Sequence, residues 1–342
     1  MTHNKVGNID REIVKAALGS ETFVTVGLPV YNAMPYLPEA MDSLLRQTAS
    51  SFEILAIVDG ATDESLEYLR SISDPRLRII VQPNSGVTQT LNRILRECRT
   101  SWLVRQDADD VSHPERIERL IAAIGQHPIA GMFYSLANYH PREKAVGKFR
   151  CSRGSPGELR NIVRSGFLLS ICHSTVALNV PKTLALGGYR LGLHNEDVDL
   201  WWRMALEHDI CCIPETLVGF RQSPSSISAR NLAAQFVAGL YVQYQLLSHL
   251  WSLPPRSLDE IRTHLEALSP AANFTAKERL RSFNMHLAVG KRLSAIAALA
   301  SSLVASPGYV FSRICDEIFP SGNIMNGISP QRFLERKEVF WL

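Results

Sequence analysis

The sequence of 342 residues has little net charge, few cysteines and no long apolar run, and each shortage excludes a class of protein. The 36 lysine and arginine residues exceed the 33 aspartate and glutamate residues by only three. No dense basic stripe with interleaved aromatic residues appears, which argues against nucleic-acid binding. The six cysteines show neither zinc-ligand spacing nor a disulfide framework, so we interpret them as buried thiols in a reducing compartment.

Two segments of the sequence bear on where in the cell the protein is located. Residues 1–20 alternate charge and polarity without an apolar centre, so we treat them as a leader segment that is not a secretory signal. Residues 293–304 are weakly polar but shorter than the roughly 20 apolar residues that span a bilayer. We therefore expect a cytoplasmic protein. The inner face of the membrane stays open as a location, because a surface-lying helix is the alternative to packing against the main domain.

Apolar runs rich in β-branched residues alternate with segments of helical periodicity through the first half of the chain. Such runs are typical of parallel strands that are buried on both faces. The alternation of strand and helix predicts an α/β fold with a doubly wound, mostly parallel sheet. We predict strands at residues 23–30, 52–58, 77–81, 102–104, 129–136, 171–178, 210–213 and 217–220, and helices over 114–126 and from about Asn195.

The pattern becomes helical after about residue 230 and is interrupted at proline-containing sites. We predict three parts, namely a leader over 1–20, an α/β domain over 21–228 and a C-terminal helical region over 229–342. For that last region the sequence leaves open acceptor recognition, a homo-oligomer contact and a peripheral membrane contact.

The most informative motif is an aspartate cluster at residues 107–110, directly after the fourth predicted strand. In an extended segment, Asp107 and Asp109 point the same way and can converge on one cation. Their hard oxygen atoms favour Mg²⁺ or Mn²⁺, and such a cation would grip a diphosphate. The alternative is that these acids cap the next helix. However, Ser112 and Glu115 already have the spacing of a capping box for it.

Ligands of doubly wound sheets lie outside the carboxyl ends of the strands. Here those ends carry polar segments, although Asp59-Gly60 also suits a plain turn and Asn84-Ser85-Gly86 a plain loop. The loop after the first strand lacks the paired glycines of a dinucleotide site, which disfavours a dehydrogenase. The polar segments are therefore expected to converge on a different ligand site.

Five motifs occur in a characteristic order. They are Val26-Gly27-Leu28-Pro29-Val30-Tyr31-Asn32, Ser43-Leu44-Leu45-Arg46-Gln47-Thr48, Val58-Asp59-Gly60-Ala61-Thr62-Asp63, Asp107-Ala108-Asp109-Asp110 and Glu196-Asp197-Val198-Asp199-Leu200-Trp201. Together they resemble family 2 glycosyltransferases over about residues 21–225. These are inverting nucleotide-sugar enzymes with the GT-A fold, so the resemblance implies a GT-A domain followed here by a C-terminal helical extension.

The resemblance also implies a role for each position. Asp59 would accept hydrogen bonds from the base or ribose, Asp107 would contact the ribose or the metal shell, and Asp109 would coordinate Mn²⁺ or Mg²⁺ at the diphosphate. The implied nucleotide-sugar contacts as a set are Pro29, Val30, Tyr31, Asn32, Asp59, Asn84, Gly86, Asp107 and Ala108.

For the catalytic base, the resemblance favours Asp197, with Glu196 beside it. A carboxylate near an anionic diphosphate should have a raised pKa, which suits a base working near neutrality. The alternative interpretation is that these acids only favour the dipole of a helix capped by Asn195.

One departure from the family concerns the metal. Many relatives carry Tyr-Arg-x-His after the last strand. In this chain the corresponding segment, residues 220–223, has Ser223 in place of the histidine, and serine is a poor metal ligand. Water, His173 or His194 would be the substitute, although His173 is better explained as a core residue.

The resemblance thus implies transfer of a sugar from a nucleotide-diphosphate donor, expected to be a UDP-sugar, to a glycan or lipid-linked oligosaccharide in surface polysaccharide synthesis. Two alternatives stay open. One is a non-catalytic GT-A-like subunit that binds a nucleotide or acts as a scaffold. The other is a metal-dependent nucleotidyltransferase, against which the chain lacks a glycine-rich phosphate loop with a following lysine.

Overall fold

The computed structural model describes residues 24–141, 149–221, 232–268, 271–288, 290–318 and 324–341. Within these residues the strands are β1 (Val24–Val30), β2 (Phe52–Asp59), β3 (Leu77–Gln82), β4 (Trp102–Arg105), β5 (Val111–Ser112), β6 (Met132–His140), β7 (Leu168–Leu169), β8 (Val176–Asn179), β9 (Ile210–Arg221) and β10 (Met325–Asn326). The helices are α1 (Leu37–Leu45), α2 (Ser65–Ser71), α3 (Val87–Glu97), α4 (Arg116–Gln126), α5 (Pro156–Arg164), α6 (Val180–Ala185), α7 (Glu196–Glu207), α8 (Leu232–Leu250), α9 (Leu258–Glu266), α10 (Ala271–Ala288), α11 (Arg292–Ala305), α12 (Pro307–Ile318), α13 (Gln331–Leu334) and α14 (Lys337–Phe340).

The large sheet has the strand order β3-β2-β1-β4-β8-β6-β9-β5, and β7 pairs with β10 in a small second sheet. Strand β1 pairs in parallel with β2 and β4, and β2 pairs in parallel with β3. Every residue of β2 is buried, as expected for a strand covered on both faces. The predicted parallel sheet is confirmed in this half, whereas the β4–β8, β6–β8 and β5–β9 pairs are antiparallel.

Later strands differ from the sequence prediction. The chain forms a short 3₁₀ turn at His173–Thr175, so β8 begins only at Val176. The strands predicted at 210–213 and 217–220 are one strand, β9. Pro214 lies inside this strand but outside the stretch around Val218 that pairs with β5.

The predicted capping box at Ser112 is wrong. Ser112 belongs to β5, where it pairs with Val218, and α4 begins only at Arg116. The residue before the helix, Glu115, makes no side-chain cap hydrogen bond. Strand pairing therefore takes Ser112 away from the helix terminus, and its hydroxyl takes part in a buried network that is described below.

The chain forms two compact units, each discontinuous in sequence. The first comprises the described residues of Met1–Ala137, Ile171–Leu191 and Arg203–Phe220, and the second those of Asn138–Ser170, Gly192–Trp202 and Arg221–Leu342. Helix α7 begins in the second unit and ends in the first. The predicted domain limits at residues 20 and 228 stay predictions.

The core of the first unit lies between the parallel strands and their helices, where Val26, Leu28, Ile54 and Leu44 are fully buried. The C-terminal residues are helical, as predicted, and they have an aromatic core of their own. Its centre is Tyr244, whose ring lies 5.1 Å from that of Trp341 and whose hydroxyl donates to the Phe340 carbonyl at 2.8 Å.

Within the described segments, no individual helix combines the length and apolar character needed to cross a membrane. Helices α11 and α12 meet that criterion only as a pair, over Arg292–Ala305 and Pro307–Cys315, and the pair is bent by 116°.

Candidate functional site

The loop after β1 is tied to the loop after β2 by side-chain hydrogen bonds. Asn32 adopts a left-handed backbone with φ of 46°, which asparagine tolerates better than most residues. Its Oδ1 accepts from the Thr62 amide at 2.8 Å, and Asp63 Oδ2 accepts from the Met34 amide at 2.9 Å. Tyr31 is 54% exposed beside this junction. The loop therefore presents an aromatic ring at the carboxyl edge of the sheet on a fixed backbone.

Asp59, at the end of β2, organises the loop after β3. Its Oδ1 accepts from Gln82 Nε2 at 2.6 Å and from the amide and hydroxyl of Ser85 at 2.8 and 3.0 Å. Its Oδ2 accepts from the Gly86 amide at 2.9 Å. Gly60 has φ of +66°, and a Cβ there would lie 2.6 Å from the Asn84 amide nitrogen. The Asp59-Gly60 and Asn84–Gly86 segments are therefore brought together, as predicted from their places at the strand ends.

This geometry changes the expectation for Asp59. A carboxylate has about four acceptor positions, and three donors already occupy Oδ1. The residue is 3% exposed. Only Oδ2 retains capacity for a further hydrogen bond, so the predicted contact with a base or ribose is limited to that atom. The main role of Asp59 in the structure is to position Asn84 to Gly86.

Replacement of Asp59 is expected to change the dependence of stability on pH. Burial alone would raise the pKa of Asp59, but hydrogen bonds from Gln82, Ser85 and Gly86 outweigh it and hold the pKa below its ordinary value. A depressed pKa adds stability above the unfolded-state pKa, and this stability is lost as pH falls through the folded-state pKa. We expect Asp59→Asn to have a flatter decline of unfolding free energy below about pH 4, measured by urea denaturation at several pH values.

The control for this experiment is Asp42→Asn, at an exposed carboxylate of α1 that pairs with Arg46. That variant should keep the acid decline of the parent protein. Identical declines in the parent protein and the Asp59→Asn variant would contradict the assigned role of the carboxylate.

The aspartate cluster after β4 forms a turn. The Asp110 amide donates to the Asp107 carbonyl at 3.2 Å, and residues 108–109 have turn geometry. The prediction that Asp107 and Asp109 share one direction on an extended segment is therefore wrong, because the chain reverses between them. Asp107 Oδ1 accepts from Arg105 at 2.5 Å and its Oδ2 accepts from Ser174 Oγ at 2.7 Å.

The charge of Arg105 controls the ionisation of its neighbours. Burial would raise the pKa of Asp107, but the Arg105 guanidinium opposes this, and the pKa lies below its ordinary value. Burial and the same guanidinium hold the pKa of His173 well below its ordinary value. His173 Nε2 lies 2.9 Å from the Tyr189 hydroxyl. His173 is partly buried, and this environment supports its interpretation as a hydrogen-bonded structural residue that is neutral near pH 7.

A buried arginine holds the base of the turn. The Arg116 side chain is fully buried, and its NH1 donates to Gln106 Oε1 at 2.6 Å and to Ser112 Oγ at 2.9 Å. Its NH2 donates to the Arg105 carbonyl at 2.7 Å and to the Ser174 carbonyl. Burial lowers the pKa of Arg116 to about 10, so it remains a cation at neutral pH. The guanidinium of Arg116 therefore connects three elements, namely β5, the end of β4 and the 3₁₀ turn. Ser174, which donates a hydrogen bond to Asp107, lies in that turn.

The sequence interpretation missed Arg105, Gln106, Arg116 and Ser174. Two of them carried a signal, since Arg105 ends an apolar strand and Arg116 lies on the buried face of α4 with Leu120. A charge at a buried position requires a polar partner. The neighbouring acid cluster indicated where such a polar partner could lie.

Replacement of Arg116 by methionine is expected to lower the unfolding free energy by at least about 3 kcal/mol, because the acceptors around it stay buried without their donor. Arg119→Met, one turn along α4, is the matched control. Arg119 is exposed and pairs with Glu115 at 2.8 Å, so its loss should cost less than about 1 kcal/mol. Urea denaturation of both variants tests this, and equal losses would show that the network does not stabilise the turn.

Glu196 and Asp197 lie in the second unit, in the first turn of α7. Glu196 is buried and Asp197 is partly buried, with its Oδ1 accepting from the Val198 amide at 2.8 Å. Asp199 is fully buried and accepts from Trp202 Nε1 at 3.1 Å, which gives it a structural role. Three acids in a first helical turn also suit the helix dipole, so the structure leaves both interpretations of Asp197 open.

The described residues include no group of three or more His, Cys, Asp or Glu side chains able to hold a metal. Asp107 is engaged by Arg105 and Ser174, whereas Asp109 is partly exposed on the turn. A hard carboxylate oxygen fits Mg²⁺ or Mn²⁺, and Mg²⁺ in particular is commonly bound by one or two carboxylates together with substrate phosphates and water. The residues therefore fit a cation shared with a bound diphosphate. Ser223, the predicted departure in the metal shell, lies outside the described residues.

Residues 25–178 match the family model described as Glycosyl transferase family 2. The chain carries a family 2 glycosyltransferase domain. The matched stretch includes every nucleotide-site candidate from Pro29 to Asp109, whereas Glu196 and Asp197 lie beyond it.

Curated relatives agree with this assignment. The amylovoran biosynthesis glycosyltransferase AmsE of Erwinia amylovora is 28% identical over 204 residues, which cover 57% of this chain and 74% of that protein. An uncharacterized glycosyltransferase of Haemophilus influenzae is 28% identical over 216 residues, which cover 61% of this chain and 78% of its own.

A structural comparison supports the GT-A fold of the glycosyltransferase domain. The structure of S. aureus TarS residues 1–349, solved in complex with UDP-GlcNAc, aligns with a TM-score of 0.53 and 16% sequence identity. The alignment covers 82% of this chain and 91% of that chain. At this identity the likeness concerns the fold, and it confirms the predicted fold class.

Proposed function

We propose that the glycosyltransferase domain moves a sugar from a nucleoside-diphosphate donor to a hydroxyl of a glycan or lipid-linked acceptor, with inversion at the anomeric carbon, in surface polysaccharide synthesis. The observation that carries the proposal is the convergence of the loops after β1, β2, β3 and β4 at one edge of a family 2 domain. In such sheets this edge is the ligand site. The relative AmsE, named for amylovoran biosynthesis, supports polysaccharide synthesis as the process.

The first unit supplies the donor site in this proposal. Tyr31 would provide an exposed aromatic surface for the nucleotide base, and the Asn84–Gly86 loop held by Asp59 would lie beside the bound nucleotide. Uridine is the proposed base, because TarS was solved with UDP-GlcNAc. Asp109 would hold Mn²⁺ or Mg²⁺ together with the diphosphate. When bound, the cation would neutralise the charge that grows on the departing nucleoside diphosphate.

The acceptor hydroxyl needs a base that removes its proton on the face opposite the leaving group. We assign this role to Asp197, with Glu196 as the second candidate, on the strength of the motif resemblance. A carboxylate serves as a base only while it is ionised, so activity should fall at low pH as it protonates.

The experiment combines donor binding with turnover. Thermal shift against nucleoside diphosphates and nucleotide sugars, with and without Mn²⁺, should show a metal-dependent rise for one nucleotide, since a ligand at 100 times its Kd stabilises by about 2.7 kcal/mol. Proton NMR of the product from that donor should show an inverted anomeric configuration. Retention of configuration would contradict the inverting assignment.

Two other outcomes correspond to the remaining alternatives. Nucleotide binding without turnover against any acceptor would favour a non-catalytic binding or scaffold subunit. Formation of a nucleotide sugar from a nucleoside triphosphate and a sugar phosphate would favour a nucleotidyltransferase. Cytoplasmic location and self-association through the C-terminal helices stay predictions.

A further inference from the structure

Helix α11 is arranged with its small residues inside and its large apolar residues outside. Its buried positions are Ala295, Ala298 and Ser302, and Ser302 Oγ donates to the Ala276 carbonyl of α10 at 2.8 Å. Leucine, isoleucine and valine side chains of the same helix are exposed to solvent. A surface helix of a soluble protein normally has the reverse distribution.

We define the apolar face as six side chains of α11 and α12 in the second unit. They are Leu293 (84% exposed), Ile296 (63%), Leu303 (40%), Val304 (87%), Phe311 (68%) and Ile314 (42%). At about 100° per residue, the four on α11 fall within an arc of about 100°, opposite the buried alanines. On α12, Phe311 and Ile314 are three residues apart and therefore neighbours on the helix surface. Six large apolar side chains exposed on two successive helices indicate an interaction site.

Residues 291–315, which carry the apolar face, include cationic side chains and no acidic ones, and the next acids in the sequence are Asp316 and Glu317 at the end of α12. Between Glu278 and Asp316 the sequence contains no acidic residue, but it contains Arg279, Arg281, Lys291, Arg292 and Arg313. Lys291 and Arg292 are exposed at the start of α11, and by helical spacing Arg292 borders the apolar arc. An apolar face with a cationic border complements an anionic lipid surface.

The dimensions favour a helix pair that lies in the membrane interface. Helix α11 has 14 residues, so it is about 21 Å long and shorter than the roughly 30 Å hydrocarbon layer. Because α11 and α12 meet at a bend of 116°, the two helices do not form one straight segment that could cross the bilayer.

We propose that the apolar face of α11 and α12 docks on an anionic lipid surface, with Leu293, Ile296, Val304 and Phe311 inserted at the level of the headgroups and Lys291 and Arg292 bound to lipid phosphates. This inference goes beyond the transfer reaction and does not depend on it.

The test is flotation of the full-length protein with vesicles of phosphatidylcholine alone or of phosphatidylcholine with phosphatidylglycerol. The protein should bind the phosphatidylglycerol vesicles, and binding should weaken with salt because exposed charges are screened. L293S/V304S and K291E/R292E should each lower the partition coefficient at least tenfold. Ile129→Ser is the matched control, since Ile129 is 77% exposed outside the apolar face and its loss should leave binding unchanged.

Circular dichroism of each variant checks that the surface changes leave the fold intact. Absence of binding to phosphatidylglycerol vesicles by the parent protein would overturn the proposal, and so would equal binding by all variants. Light scattering after gel filtration tests whether a second copy of the chain, instead of lipid, covers the apolar face. A dimer that L293S/V304S dissociates, with no vesicle binding, would identify the apolar face as a contact between copies.

Discussion

Replacement of Asp109 by asparagine is expected to lower the rate of sugar transfer by about 10²- to 10³-fold, the range found when a group that stabilises charge in a transition state is removed, and to weaken metal-dependent donor binding. The reason is the division of roles within the turn. Arg105 and Ser174 each occupy one acceptor position of Asp107, whereas Asp109 is partly exposed on the turn, so we assign the proposed cation chiefly to Asp109 and the diphosphate. Calorimetric titration of the selected nucleotide with and without Mn²⁺ measures the binding effect, and initial rates measure the transfer effect.

Asp107→Asn provides the contrast within the same turn. Arg105 is 2% exposed, so loss of its carboxylate partner leaves a buried cation and should cost about 3 kcal/mol of unfolding free energy. Asp109→Asn, by comparison, should cost less unfolding free energy than Asp107→Asn, because Asp109 is partly exposed on the turn. If a folded Asp109→Asn variant bound the donor with full metal dependence, the assignment of the cation to this turn would be wrong. Asp42→Asn on α1 controls for a general loss of negative charge.

The parallel half of the sheet could be predicted from sequence because its signals are local. Runs such as Phe52–Asp59 are apolar at every position, and turn residues follow each of them. The later strands were harder, because their limits depend on distant partners. Val218 is the distant partner that sets the place of β5. A single sequence does not show which distant residues will pair.

In the candidate site, too, some features follow from local sequence and others depend on distant residues. The segments that line the edge could be predicted because strand ends of a parallel sheet meet there. The direction of individual carboxylates could not, since it depends on buried partners from other elements. Asp59 is turned inward by Gln82 and Gly86, and Asp107 by Arg105 and Ser174. Acidic residues that looked equivalent in sequence therefore differ in how much of each carboxylate remains for a ligand.

Replacement of Asp197 by asparagine is expected to reduce kcat by about 10²- to 10⁴-fold while donor affinity is retained, because general-base catalysis contributes an effect of this size to the transfer step alone. The alternative, in which Asp197 only favours the dipole of α7, predicts a different result. A dipole contribution is worth about 0.3 to 1 kcal/mol of stability and should leave kcat nearly unchanged. Unfolding free energy and kcat therefore have to be measured on the same variant.

Glu196→Gln serves as the matched control, because it removes the adjacent acid from the same first turn of α7. If Asp197 is the base, only Asp197→Asn should abolish transfer, and both variants should bind the nucleotide as the parent protein does. A reversed pattern would move the base to Glu196. Full transfer by both variants, with a small loss of stability in each, would show that these carboxylates stabilise the helix and that the base lies elsewhere. The acid limb of the pH profile adds a second criterion, since it should disappear in the residual activity of the variant that lacks the base.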